Sequence, residues 1–176
     1  MGERERLSGV DRVRECLRKL GLEIQVLRSP EGTATASEAA AAAGCELGAI
    51  VKSLLFLVDD APVLVLVAGD RKADPRKLGR LFGVSKKRVR IADAETVERV
   101  TGYPVGGVPP VGHLTSLPVI VDQTLERFET VWASAGAPDA IFPIDTRLLI
   151  EITGGRVEDV VKMGLQEFLD HLLEAS

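Results

Sequence analysis

The stretch Ile50-Val51-Lys52-Ser53-Leu54-Leu55-Phe56-Leu57-Val58 is followed by Asp59-Asp60-Ala61-Pro62 and then by Val63-Leu64-Val65-Leu66-Val67-Ala68. Two apolar, β-prone runs joined by four turn-forming residues read as a hairpin. Neither run alternates polar with apolar, so both strands are expected to be central ones, covered on both faces. The covering helices announce themselves by their ends. Ser8 precedes Val10, Val13, Leu17 and Leu20 at helical spacing, with Gly21 as a stop. Thr35 and Glu38 form a capping-box pair ahead of an alanine run, residues 39–43, that ends at Gly44. Asp74-Pro75 opens a helix through Phe82, Asp93 caps one ending at Thr101-Gly102, and another is expected over 146–153. A last helix, 164–174, carries Leu165, Phe168, Leu169, Leu172 and Leu173 on one face and is expected to pack against the body. Shorter strands are expected at 23–27, 84–91, 117–121, 130–133 and 140–143.

The chain has 176 residues, 45% hydrophobic and 27% charged, with no internal repeat or low-complexity linker, so residues 1–176 read as a single α/β domain. Cys16 and Cys45 lack the spacing of a metal site or redox pair and are expected to be buried apolar residues in a reducing, cytoplasmic compartment. The start, Met1 to Arg6, carries no apolar signal core, and no apolar run is long enough to span a membrane.

The census of reactive residues excludes several enzyme classes. Only two histidines occur, His113 and His171, and neither has a partner at zinc-ligand spacing. Gly-x-Ser-x-Gly, Walker and dinucleotide-binding motifs are all missing. His171 reads as a surface residue, whereas His113 directly follows a loop rich in glycine and proline. Lys52 stands out inside an apolar strand, where Ser53 is the only other polar side chain. Either it snorkels to water from the strand's first turn, or it lies in a cleft and meets a phosphate or carbonyl oxygen. The segment 102–112, Gly-Tyr-Pro-Val-Gly-Gly-Val-Pro-Pro-Val-Gly, must be a loop of fixed shape. It is either a rigid connector or a grip in which Gly106 and Gly107 leave backbone N–H groups free to donate.

Val51-Lys52-Ser53-Leu54-Leu55-Phe56, followed about fifty residues later by Thr101-Gly102-Tyr103-Pro104-Val105-Gly106-Gly107-Val108-Pro109-Pro110-Val111-Gly112, resembles the YbaK family. That family is related to the editing domain inserted in bacterial prolyl-tRNA synthetases. The resemblance covers residues 13–155 and takes in Leu117 to Asp122 and Ser134-Ala135-Gly136. It implies a curved mixed β-sheet flanked by helices, and hydrolysis of the ester that joins a wrong amino acid to the 3′-terminal adenosine of a tRNA. By the same resemblance Lys52, Gly106 and Gly107 are the catalytic positions. Gly102, Val108, Pro109, Pro110, Gly112, His113, Ser134 and Gly136 would contact the substrate. No metal or cofactor is implied, and the substrate assists through its own ribose hydroxyl or, in a cysteine-clearing branch, its thiol. The implied partners are an aminoacyl-tRNA, of the tRNA-Pro type, and a synthetase such as prolyl-tRNA synthetase. Three departures bear on the amino acid removed. Pro109 stands where the family often has serine, no acid follows Ser134-Ala135-Gly136 at the expected place, and no aromatic lies near Leu27-Arg28-Ser29.

Charge supports a nucleic-acid partner only when read locally. The chain carries 22 basic and 26 acidic residues, a net −4, which excludes a uniformly basic surface. Residues 71–90, however, hold nine basic side chains and one acid, Asp74. Arg71, Lys72, Lys77, Arg80, Lys86, Lys87 and Arg88 are therefore expected to track the tRNA backbone, though the same run would also suit a solvated helix face and edge strand. The expected function is a trans-editing deacylase. The alternatives are a binding module for a tRNA 3′ end or a synthetase, and an interaction protein with a vestigial pocket.

Overall fold

The computed structural model describes residues 7–175, so the charged start, Met1 to Arg6, and Ser176 lie outside the described residues. In chain order the helices are α1 (Gly9–Lys19), α2 (Ala36–Ala43), α3 (Pro75–Phe82), α4 (Ala94–Thr101), α5 (Thr146–Thr153) and α6 (Leu165–Glu174). The strands are β1 (Leu27–Arg28), β2 (Val51–Val58), β3 (Ala61–Ala68), β4 (Val89–Ile91), β5 (Val119–Asp122), β6 (Thr130–Ala137), β7 (Ala140–Asp145) and β8 (Arg156–Glu158).

The hairpin forms as its sequence dictates. Asp59 and Asp60 take φ of 49° and 66°, as a primed two-residue turn requires, and β2 and β3 pair antiparallel from Val51↔Ala68 to Val58↔Ala61. Both faces are covered. Phe56, Val58, Val63, Val65 and Val67 pack against Leu78 of α3 and against Val160 and Val161. On the opposite face Leu55, Leu57, Leu64 and Leu66 meet Val13 and Leu17 of α1, Val131 and Phe142 of β6 and β7, and Leu149 of α5. The helix starts are fixed by side-chain caps: Ser8, Thr35, Asp74, Asp93 and Asp145 each accept a backbone N–H from the first turn.

The α/β class holds, but the strands divide into two sheets. One is five-stranded and mixed, β4-β2-β3-β5-β8, with β3, β5 and β8 parallel; the other is a three-stranded antiparallel sheet, β1-β7-β6. The two meet where Ile50 bridges Trp132. A close backbone crossing seats α1 on β6. A Cβ at Gly9 would lie 2.1 Å from the carbonyl oxygen of Gly136, which itself has φ +100°.

Several expected elements differ. The strand read at 23–27 reduces to Leu27–Arg28, paired with Ile141 and Ala140, and 84–91 becomes a 3₁₀ turn (Lys86–Arg88) followed by the short β4. β8 was not expected, because three residues beside a glycine-rich end carry no strand period. Helix α6 forms where its apolar spacing placed it, yet its apolar face is not covered: none of its residues is buried, and Leu165 and Phe168 are 75% and 48% exposed. Cys16 and Cys45 are free thiols, half-buried instead of fully buried.

Candidate functional site

Strand β2 has a half-open edge. Ile50 O accepts from Gly69 N–H on the β3 side, while Leu55 O accepts from Ala92 N–H on the other, so even-numbered residues bond to β3 and odd-numbered ones face away. On that outer side β4 pairs only with Phe56–Val58. Beside the unpaired first half of β2 lies a cavity of about 240 Å³, walled by residues 50–54, by Thr33 to Ala36 and Ala39, by Trp132 to Ser134 and Ile141, and by Val105, Gly106 and Val108.

Lys52, Gly106, Val108 and Ser134, far apart in sequence, share this cavity. Lys52 is half-buried, and its ammonium donates to the carbonyl oxygen of Arg71 in the turn after β3. Burial pulls its pKa below the usual lysine value; the Asp70 carboxylate opposes that, and Lys72 adds to it. Ser134 Oγ accepts from Gly136 N–H at 3.2 Å, which leaves its proton to donate elsewhere.

The loop is clamped from below. Tyr103, fully buried, donates its hydroxyl to Gly112 O at 2.8 Å, and its ring carries the Arg12 guanidinium 4.4 Å from the centroid. Arg12 also donates to Gly102 O at 2.7 Å. Gly106 has φ +86°, and a Cβ there would stand 2.9 Å from Ala34 Cβ. Its N–H has no hydrogen-bond partner among the described residues, and Gly106 is one of the residues that line the cavity.

Other expected positions fall elsewhere. The amide of Gly107 is not free: it donates to Pro104 O at 2.9 Å and closes the turn, while its Cα side lies tight on Ala137 and Pro138. Gly102 ends α4, and Gly136 serves the crossing with Gly9. Pro109 turns its carbonyl to His113 Nε2 at 2.6 Å, so that nitrogen carries the proton. Pro110, Gly112 and His113 line a separate cleft of about 310 Å³, together with Cys16, Ser116 and Thr153. Burial lowers the pKa of His113 against the opposing bond to the Pro109 carbonyl, which favours the neutral imidazole.

The basic window is also divided. Arg71 pairs with Asp70 and Glu167, Lys77 with Asp159, Arg88 with Asp59 and Arg90 with Asp60. Among the described residues Lys72, Arg80, Lys86 and Lys87 have no ion pair. Lys72 lies near Lys52, whereas Arg90 pairs with Leu57, five residues along β2 and so about 16 Å away.

Sequence reading missed most of the wall. Ser53 Oγ is shielded from water and unpartnered; its polarity inside an apolar run was its signal. The alanines of α2 leave room where larger residues would fill it. Trp132 carried no local signal, because only the pairing of distant strands brings it to β2.

Among the described residues no group of three His, Cys, Asp or Glu could hold a metal ion, and no helix is long and apolar enough to cross a membrane. A family profile for the aminoacyl-tRNA editing domain matches residues 30–152. The chain is 32% identical over 136 residues to the uncharacterized protein YwhH of Bacillus subtilis, covering 77% of this chain and 85% of that one. It is 39% identical over 109 residues to a proline–tRNA ligase of Desulfovibrio desulfuricans, covering 62% of this chain but only 18% of the ligase. The fold superposes with TM-score 0.82 and 41% identity on the crystal structure of a candidate trans-editing enzyme for prolyl tRNA synthetase, covering 90% of this chain and all of that one.

Proposed function

Because the chain belongs to the aminoacyl-tRNA editing domain family, we propose that it is a deacylase acting in trans on mischarged tRNA of the tRNA-Pro type. The observation that carries this reading is the meeting of Lys52 and Gly106 at one small cavity.

The aminoacyl ester enters with its carbonyl toward the Gly106 N–H and its 3′-terminal ribose toward Lys52. A water, oriented by a neighbouring ribose hydroxyl, adds to the carbonyl carbon, and its proton passes to the departing ribose oxygen. The developing oxyanion is stabilised by the amide and by the ammonium, in a site where partial burial strengthens both. The ester C–O bond then breaks, the free amino acid leaves, and the ribose oxygen regains a proton. Among the described residues Lys52 is the one charged side chain of the wall, so a small, uncharged amino-acid side chain is the one accepted without an unpaired buried charge. Lys72, Arg80, Lys86 and Lys87 meet tRNA phosphates, and a prolyl-tRNA synthetase is the natural partner for such a substrate.

One observation favours a second reading. Among the described residues no carboxylate, histidine or cysteine lines the cavity, so none of these is there to deprotonate a water, as a binding module would allow. Deacylation of tRNAs charged with alanine, cysteine, serine and threonine decides between them. Turnover of at least one, abolished by Lys52→Ala, is expected; binding without turnover across the panel would establish the second reading instead.

A further inference from the structure

Lys52 lines the cavity, and its tip is held by a neighbour's backbone. Its ammonium donates to Arg71 O, so the position of the charge follows the position of the turn 69–72. The start of that turn is tied to the sheet, with Gly69 N–H on Ile50 O at 2.8 Å and Arg71 N–H on Ala68 O at 2.9 Å. Its far end is tied by Lys162 N–H to Lys72 O at 2.8 Å, and the Asp70 side chain is held from across the fold by an arginine. Arg127, 57 residues beyond Asp70, grips the Asp70 carboxylate with both prongs, Nη2–Oδ1 at 2.7 Å and Nη1–Oδ2 at 3.0 Å.

Arg127 is itself prepared for this. Its Nε donates to Thr124 O at 2.6 Å, and its guanidinium lies 5.1 Å from the Phe128 ring centroid. The 3₁₀ turn that carries it (Gln123–Arg127) starts at Asp122, a fully buried carboxylate that accepts from Thr124 N–H at 3.0 Å and Val160 N–H at 2.9 Å. A chain of directed bonds therefore runs from the sheet interior to the cavity: Asp122, the 3₁₀ turn, Arg127, Asp70, the Arg71 carbonyl, Lys52. An isolated surface pair would need none of this preparation. The fork also matters, since a planar two-pronged donor fixes the orientation of a carboxylate and a lysine point charge does not.

We infer that Asp70 and Arg127 are positioning residues for Lys52, their ion pair fixing the turn whose Arg71 carbonyl holds the ammonium at the cavity. The inference rests on the deacylase reading for its kinetic consequence only. The charged groups around the ammonium are Asp70, which attracts it, and Lys72, which repels it; the Arg71 guanidinium is turned to Asp70 and Glu167, each at 3.5 Å.

The test uses the full chain with Asp70→Asn, Arg127→Ala and Arg127→Lys. Deacylation is followed across the alkaline range, and the Lys52 side chain is titrated directly by NMR, assigned through Lys52→Arg. Arg127→Ala is expected to lower kcat between roughly 10- and 100-fold with KM changed far less, the scale of an ångström-sized misplacement. Arg127→Lys restores only part of that loss. Asp70→Asn removes the negative charge beside the ammonium, so the Lys52 titration and the alkaline limb of kcat both move to lower pH. Melting temperatures that fall while kcat, the alkaline limb and the Lys52 titration stay at wild-type values would overturn the inference and leave a purely structural clamp. The titration needs no turnover: if wild type fails to deacylate, the deacylase reading falls, while a shifted Lys52 in Asp70→Asn still supports the positioning and an unshifted one refutes it.

Discussion

Gly106→Ala tests whether the loop is a rigid wall of the cavity. Two separate penalties act there. The backbone has φ +86°, a conformation that costs a residue with a side chain about 1–2 kcal/mol. The new methyl would also stand 2.9 Å from Ala34 Cβ, well inside the roughly 3.5–4.0 Å at which carbon atoms rest. Ala34 Cβ has no rotamer to swing away, so the loop or the 33–36 segment must shift by several tenths of an ångström. Overpacking of this kind adds about 1–3 kcal/mol. The sum, about 2–5 kcal/mol, corresponds to a fall of roughly 4–20 °C in Tm for a chain of this size. Gly21→Ala supplies the comparison, since Gly21 has φ +81° and nothing within 4 Å of a built Cβ. It should show the backbone penalty alone and leave deacylation intact. Thermal melts followed by circular dichroism, with deacylation kinetics on the same samples, read both effects. Displacing the Gly106 amide should lower kcat by about 10²–10³, the usual loss for an oxyanion donor. If Gly106→Ala melts with Gly21→Ala and keeps wild-type kcat, the loop yields freely and its amide takes no part in the reaction.

Three further outcomes are expected. Lys52→Ala should abolish deacylation with little change in Tm, because a half-buried ammonium with a lowered pKa gives the fold little; a kcat within the wild-type range would refute its role. His113, whose folded pKa lies below its unfolded value of about 6.5, favours the neutral form in the native state, so its contribution is fully present above that pH and is lost as pH falls through the folded value. His113→Gln should therefore flatten the mildly acidic limb of the stability–pH curve, whereas the Asp70 contribution, held below the carboxylate range by Arg127, is lost only at still lower pH. Lys86→Glu with Lys87→Glu should weaken tRNA binding and reduce its salt slope by about 2, with hydrolysis of a minimal aminoacyl ester unchanged; equal loss on both substrates would remove those lysines from the tRNA path.

What the sequence made legible was local. Asp59-Asp60, the caps Ser8, Thr35, Asp74 and Asp93, and the unbroken apolar runs of β2 and β3 each encode their geometry within a few residues. Lys52 was legible for the same reason, as a charge in a run that has no use for one. The division into two sheets was not, because it depends on β6 finding Ile50 through Trp132, a pairing across 82 positions that no window contains. Nor was the splitting of the loop 102–112 between two clefts: composition shows that the loop is stiff, but not that Gly106 and Val108 line one cleft while Pro110, Gly112 and His113 line another, with the imidazole bonded back to the Pro109 carbonyl. Asp70 follows the apolar run of β3 with no motif to mark it, and its partner Arg127 lies in a segment with none either. The uncovered face of α6 shows the limit of periodicity, which reports that a helix has an apolar side and says nothing of whether the same chain covers it.

The crossing of α1 over β6 bears on how this sequence can drift. At Gly106 the obstacle to a larger residue is a side-chain methyl, so Ala34→Gly would act as a suppressor and return the steric part of the loss. At Gly9 and Gly136 the obstacle on each side is the other residue's peptide group, 2.1 Å and 2.6 Å from the built Cβ. Every amino acid carries that group, and no second mutation at the opposing position removes it. The two glycines are therefore locked without a compensating route, whereas the cavity wall can change by paired steps and so leaves the accepted amino acid open to selection.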